Sequence, residues 1–111
     1  MTLAVAVACA LTPAWGAGDP KASRFYEDAL NRFEQRDVAG AIVQLKNALQ
    51  IDRDMLPAHV LLGRALLANN EYAAAEASFD EALRLGVNRA EVVVPLAQAA
   101  LALGKQDQVL E

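Results

Sequence analysis

The fold is decided by residues 56–89, LPAHVLLGRALLANNEYAAAEASFDEALRLGVNR. This stretch predicts two short helices joined by a turn at residues 68–71. The second helix carries apolar residues on one face at helical spacing, namely Tyr72, Ala75, Phe79, Ala82 and Leu83. The first helix has Gly63 at the centre of its apolar stripe, and a helical glycine is best tolerated where another helix approaches closely. Neither helix can bury its stripe alone, so the unit requires neighbouring helices.

The neighbours are present, because the same pattern recurs at a spacing of 34 residues. Leu45 corresponds to Phe79 at this spacing, and Leu67 corresponds to Leu101. Small residues also recur at fixed positions, and these are Ala29, Gly63 and Ala97, Ala41 and Ala75, and Ala48 and Ala82. Small residues let helices lie close together, and the large residues between them fill the grooves. The chain is therefore expected to be an array of packed helix pairs.

This repeat resembles the tetratricopeptide repeat (TPR), a helix–turn–helix unit with the same length and the same small/large pattern. The resemblance implies an all-α fold, a right-handed solenoid of antiparallel helix pairs. The chain is expected to be the N-terminal fragment of a longer array, with about 2.5 repeats by the repeat length. The expected boundaries are a signal peptide at 1–17, a linker at 18–21, TPR 1 at 22–55, TPR 2 at 56–89 and a partial TPR 3 at 90–111.

The N-terminus has the character of a secretory signal peptide. Residues 3–11, LAVAVACAL, are nine apolar residues, and about 20 are needed to span a bilayer. The small residues Ala14, Gly16 and Ala17 suit cleavage after such a run. The basic residues that usually precede the run are missing, which we explain by a start codon further upstream. A buried first helix of the fold is the alternative interpretation of residues 3–11.

Cys9 is the only cysteine, so the chain cannot form an intramolecular disulfide. Lipidation of Cys9 would anchor the protein to a membrane. Lipidated cysteines usually have a leucine three residues before them, and Ala6 holds that position here, which disfavours lipidation of Cys9. We therefore expect an exported, periplasmic protein, with a membrane-anchored lipoprotein as the alternative.

Helix boundaries follow from capping residues. The expected N-caps are Ser23, Asp37 and Asn88, with the first helix ending near Gln35. Asn88 and Glu91 have the spacing of a capping box.

The helix after Asn88 contains Pro95, which should kink it. Leu96 and Ala100 lie on the side of this helix that the rest of repeat three would cover, so we expect them to be exposed. A second helix of this repeat is expected to start near Gln106.

Two groups of charged residues are interpreted as structural. Asp28 and Arg32 replace apolar residues of the next repeat, as expected for the wetted outer face of a terminal repeat. Asp80 and Arg84 are spaced to form a helical ion pair worth about 0.3 kcal/mol. Glu76 continues the same polar face.

The sequence gives no indication of catalysis. Its net charge of −4 with both signs mixed argues against nucleic-acid binding. His59 is the only histidine, and its equivalents Phe25 and Val93 are apolar, which favours a packing role. Phosphate-binding loops, nucleophile motifs and metal-ligand spacings are absent from the sequence. We expect no catalytic, cofactor-binding or metal site in this chain, and therefore not an enzyme.

In tetratricopeptide arrays, fixed positions of each first helix form a concave protein-binding surface. The resemblance implies such a face here, made of Tyr26, Leu30, Phe33, Val60, Arg64, Leu67, Val94, Gln98 and Leu101. One chaperone-binding subclass grips carboxylates with lysine and asparagine at the positions held here by Tyr26 and Leu30, so that clamp is absent. The alternative is that later repeats cover this face and make it partly core.

A closer resemblance concerns the segments QLKNALQ (residues 44–50) and LGVNRAEVVVPLAQA (residues 85–99), together with the signal-like start. They are similar to the TPR proteins encoded with bacterial PEP-CTERM/exosortase systems (the PrsT-like group). The resemblance implies a scaffold that supports exopolysaccharide production and PEP-CTERM protein sorting, with a protein or peptide partner in the cell envelope. The alternatives are an envelope assembly factor for pili or secretion, and the TPR arm of an enzyme whose catalytic domain lies beyond residue 111.

Overall fold

The computed structural model describes residues 18–104. Within this range the chain forms helices and no strand, which confirms the all-α prediction. The helices are α1 (Pro20–Glu34), α2 (Val38–Ile51), α3 (Leu56–Ala68), α4 (Tyr72–Arg84) and α5 (Arg89–Ala102). The predictions for the signal peptide, for Cys9 and for a helix starting near Gln106 lie outside the described residues.

The start of α1 differs from the prediction. Asp19, not Ser23, is the N-cap, and its Oδ1 accepts a hydrogen bond of 2.7 Å from the Lys21 N–H. Pro20 follows the cap directly, and its fixed φ suits the first helical position. The helix therefore includes Pro20 and Lys21, where the sequence pattern predicts a linker.

The other two predicted N-caps are confirmed. Oδ1 of Asp37 accepts a hydrogen bond of 3.1 Å from the Gly40 N–H at the start of α2. Oδ1 of Asn88 accepts one of 2.9 Å from the Ala90 N–H at the start of α5. Each bond satisfies one of the backbone donors that a helix N-terminus leaves without an intrahelical partner.

The turn that follows the first helix of each repeat recurs at the repeat spacing. Its central residue has a left-handed backbone, and these residues are Arg36 (φ 67°), Asn70 (φ 63°) and Gly104 (φ 79°). After α1 the Asp37 N–H donates to the Arg32 carbonyl at 2.8 Å, and after α3 the Glu71 N–H donates to the Leu66 carbonyl at 2.9 Å. This is the Schellman arrangement, which satisfies the last carbonyls of a helix. The repeat in the sequence is thus also a repeat of backbone conformation.

The core confirms the small/large pattern. Each helix packs against the next one, and α3 also contacts α1 and α5. The predicted small positions Ala29, Ala41, Ala48, Ala75 and Ala82 are fully buried, whereas Ala97 on α5 is only half-buried. Phe79 is also fully buried, and a Cβ on Gly63 would lie only 2.6 Å from its Cε1 atom. Gly63 therefore marks a close helix approach, as predicted.

Helix α5 departs from its predicted exposure pattern. It runs through Pro95 as one helix, and Ala100 is only 6% exposed. Leu96 is half-buried. Val92, Ala99 and Ala100 share one face at i, i+7 and i+8, and this face is the buried one. The exposed apolar residues therefore lie on the other side, and they are Val93, Val94 and Leu101.

Candidate protein-binding groove

The structure gathers part of the predicted concave face into one groove. Of the nine predicted residues, four line it: Tyr26, Leu30, Val60 and Arg64. The remaining lining residues are Leu56, Pro57, Leu61, Val87 and Glu91. The groove therefore lies between α1 and α3 and extends to the start of α5.

The other predicted residues lie outside this groove. Phe33 and Leu67 are half-buried and pack against the core. Val94, Gln98 and Leu101 are exposed on α5. The predicted face is thus divided into a formed groove, two half-buried residues and an open surface on α5.

Sequence register explains why the two walls meet. Tyr26, Leu30 and Phe33 are spaced i, i+4 and i+7 on α1, so they share one side of that helix. Val60, Arg64 and Leu67 repeat this spacing on α3. Because α1 and α3 contact each other and have equivalent positions in successive repeats, the two rows run side by side.

Four of the five lining residues outside the predicted set come from two sources, and the fifth, Leu61, follows Val60 directly on α3. Pro57 and Glu91 occupy the second position of repeats two and three. The repeat register could have identified them, because this position belongs to the concave surface of tetratricopeptide arrays. Leu56 and Val87 lie at or next to the connections between repeats. The paths of these connections are not fixed by helical periodicity.

Tyr26 is a neutral hydrogen-bond donor in this groove. Burial raises the pKa of its phenol, and the nearby Arg64 guanidinium offsets part of that rise. A phenol with a raised pKa keeps its proton at neutral pH. In the described part of the chain, its hydroxyl has no hydrogen-bond partner.

Arg64 has no charge partner within residues 18–104. It is exposed, and it makes neither an ion pair nor a hydrogen bond with another described side chain. Arg32 and Arg84 differ from it, because each forms ion pairs with two carboxylates. Arg64 therefore presents an uncompensated positive charge in a groove with apolar walls.

The charges on the outer side of repeat one form a closed network. Arg32 Nε lies 2.7 Å from Asp28 Oδ2, and Arg32 Nη1 lies 2.9 Å from Asp37 Oδ2. Gln44 on α2 donates to the same Asp28 oxygen at 2.7 Å. These hydrogen bonds from Arg32 and Gln44 lower the pKa of Asp28. The network joins α1 to α2, and each of its charged side chains has a partner of opposite charge within it.

The predicted Asp80–Arg84 pair is wrong. Arg84 instead pairs with Glu81 one turn earlier in α4, and its Nη2 lies 4.0 Å from Oδ1 of Asp54. The hydrogen bond from Arg84 lowers the pKa of Glu81. Residues three apart are neighbours on a helix just as residues four apart are. Pairing with Glu81 also leaves Arg84 near the connection before α3, where Asp54 lies.

His59 has a structural role that the repeat pattern only partly indicated. It is half-buried, and its Nε2 lies 2.8 Å from the Arg53 carbonyl oxygen. Because a carbonyl only accepts, the ring donates this hydrogen bond. The imidazole thereby holds the connection between α2 and α3 against the start of α3.

Two other kinds of site are absent from the described range. Within residues 18–104, no group of three or more His, Cys, Asp or Glu side chains is placed to hold a metal ion. The helices of this range are also too short or too polar to cross a membrane.

Comparison with known proteins agrees with the repeat structure. A protein-family model described as "Tetratricopeptide repeat" matches residues 32–93. The match covers more than half of the chain and contains the whole of α2, α3 and α4. No curated protein matches the chain.

Proposed function

Since the chain belongs to the tetratricopeptide repeat family, we propose that it is a non-catalytic scaffold whose groove between α1 and α3 binds a peptide segment of a partner protein. Tetratricopeptide repeats generally mediate binding to protein partners. The observation that carries the proposal is the groove itself, which combines apolar walls with a neutral phenol and an unpaired guanidinium. Aromatic residues and arginine supply much of the energy of protein interfaces.

The apolar walls favour an extended or helical peptide. Leu30, Leu56 and Val87 are half-buried and offer aliphatic surface to a partner, and Tyr26 offers a ring that is only partly buried. Covering such surface releases about 25 cal/mol for each Å² of apolar area removed from water. Arg64 then decides how the peptide is oriented, because polar groups in a mainly apolar site supply specificity.

We place this activity in the bacterial cell envelope. The support is the signal-like run at residues 3–11 and the resemblance of residues 44–50 and 85–99 to PEP-CTERM-associated TPR proteins. On this proposal the scaffold is exported to the periplasm and supports exopolysaccharide production and sorting of PEP-CTERM proteins. The intact mass of the protein from the periplasmic fraction tests export. The expected mature chain has lost the apolar run, and a chain that retains Met1 or begins at a lipid-modified Cys9 would refute a soluble periplasmic form.

Substitutions on opposite faces test the groove. Tyr26→Lys puts a charge beside Arg64, so capture of partners from envelope extracts should fall. Asp80→Lys changes an exposed residue of α4 that does not line the groove and should leave capture unchanged. Circular dichroism must show that both variants keep their helices. If Asp80→Lys abolishes capture and Tyr26→Lys does not, the binding face has been assigned to the wrong side.

A further inference from the structure

We infer that Arg64 and Tyr26 form a subsite for a single carboxylate, and that the groove prefers an apolar peptide segment with one internal Asp or Glu. This inference rests on the proposed function, since it names the chemistry of the peptide that the groove takes. It concerns the part of the groove between α1 and α3, where Tyr26 and Arg64 are the polar lining residues and the other lining residues of these two helices are apolar.

The first argument is the unpaired charge of Arg64. A peptide that covers the groove removes water from the guanidinium, and a charge that loses water without gaining a partner is strongly unfavourable. An uncharged apolar peptide would therefore bind weakly despite its contact with Leu30 and Leu56. A carboxylate removes this penalty, because the planar guanidinium can donate two parallel hydrogen bonds to it.

The second argument is the position of Tyr26 on the opposite wall. Its hydroxyl keeps its proton and has no partner in the described part of the chain. A carboxylate has two oxygens with several lone pairs, so one that is held by Arg64 can also accept the phenolic hydrogen. The two donors come from different repeats, so the subsite exists only when the repeats are packed together.

The third argument separates an internal acidic residue from a C-terminal carboxylate. Leu30 lies one turn after Tyr26 on α1, and Leu56 and Val87 line the groove on the other side, at the start of α3 and before α5. A peptide that ended at Arg64 would cover only one of these two apolar stretches. A chain that continues in both directions covers both and buries more apolar area.

Glu91 limits the ligand to one acidic group. Its side chain lines the same groove at the start of α5. A second carboxylate that reached this end would meet a like charge, which disfavours wrong partners. The preferred segment therefore has apolar residues on both sides of its acid.

Selection from displayed peptides tests the inference with the full-length chain. One library presents a random segment followed by a linker, so that every acid is internal, and the other presents a free C-terminus. We expect the first library to enrich segments with a single Asp or Glu between apolar residues. Enrichment of acids only at the free C-terminus would overturn the inference. Failure of both libraries to enrich any segment, or an equal enrichment by Tyr26→Lys, would overturn the proposed function as well.

A selected peptide and its Glu→Gln or Asp→Asn isostere then test Arg64 directly by fluorescence anisotropy. The isostere should bind the natural chain about tenfold more weakly, as expected for a lost charge-assisted hydrogen bond. It should bind Arg64→Gln about as well as the acidic peptide does. Arg53→Gln is the matched control, because Arg53 is exposed and lies away from the groove. If the acid preference survives in Arg64→Gln, or is lost in Arg53→Gln, the subsite is not at Arg64.

Discussion

Replacing Gly63 by alanine tests whether helix propensity or close packing controls the α3–α4 contact. Alanine is favoured over glycine inside a helix by about 1 kcal/mol. At Gly63, however, the added methyl group would lie 2.6–2.8 Å from three ring atoms of Phe79. Non-bonded carbon atoms do not approach so closely. Because Phe79 is fully buried, its ring cannot rotate out into water to avoid the added methyl group.

The magnitude follows from these opposing effects. Overpacking a full core costs about 1–3 kcal/mol, which exceeds the propensity gain of about 1 kcal/mol. We expect Gly63→Ala to lower the free energy of unfolding by about 1 kcal/mol, or the melting temperature by roughly 4–8 °C for a domain of this size. Urea unfolding of the full chain, followed by circular dichroism, measures this change.

Repeat one supplies the matched control. Its equivalents of Gly63 and Phe79 are Ala29 and Leu45, both fully buried. The double variant Gly63→Ala with Phe79→Leu therefore copies a pair that already packs in this fold. Phe79→Leu alone should lower the free energy of unfolding by about 1 kcal/mol, because ring volume is lost from the core. The double variant should be about 1 kcal/mol more stable than the sum of the two single effects predicts. If Gly63→Ala stabilises the chain and the effects simply add, the close approach at Gly63 does not control packing.

Two further predictions concern stability. The folded-state pKa values of Asp28 and Glu81 are lowered, so their contribution to the stability of the fold is present above the unfolded pKa of about 4 and is lost as pH falls through the folded pKa. The urea midpoint should therefore fall on acidification, and it should fall less in the double variant Asp28→Asn with Glu81→Gln. A pH profile of that variant identical to the profile of the natural chain would contradict the assigned ion pairs. Arg36 has a left-handed backbone with φ 67°, a conformation that costs a residue with a side chain about 1 kcal/mol relative to glycine. Arg36→Gly should therefore raise the urea midpoint, whereas Val38→Gly in the helix that follows should lower it. A lower midpoint for Arg36→Gly would mean that this turn does not have the left-handed geometry.

The repeat positions were predictable because packing at a fixed spacing restricts residue size. Ala41 and Ala75 are buried at equivalent places because each must admit a neighbouring helix. The turn at residues 68–71 was predictable for a related reason, since apolar periodicity stops on both sides of it. Four of the nine lining residues of the groove followed from the same register, because Tyr26 and Arg64 lie on equivalent faces of successive first helices.

Features that depend on side-chain conformation or on the path of a connection were not predictable in this way. Arg84 has acidic residues three and four positions before it, and only the fold shows that it turns to Glu81 and Asp54. Ala100 was expected to be exposed, but the rotation of α5 about its own axis places it on the buried face. Leu56 and Val87 entered the groove through the connections that carry them, and helical spacing contains no information about those.

The left-handed turn residues make the chain divisible into interchangeable modules. A copy of residues 37–70 inserted after Asn70 would begin behind a residue with φ 63° and would end with another of the same conformation. The backbone at each junction would therefore stay as it is, and the duplicated segment would add one helix pair without a new kind of turn. Such a lengthening by gene duplication would also copy Val60 and Arg64 one repeat further along. Because Tyr26 lies before the copied segment, the added guanidinium would have Val60 and not a phenol at the equivalent place of the preceding first helix, so the subsite with two donors would stay at the N-terminal end of the lengthened groove.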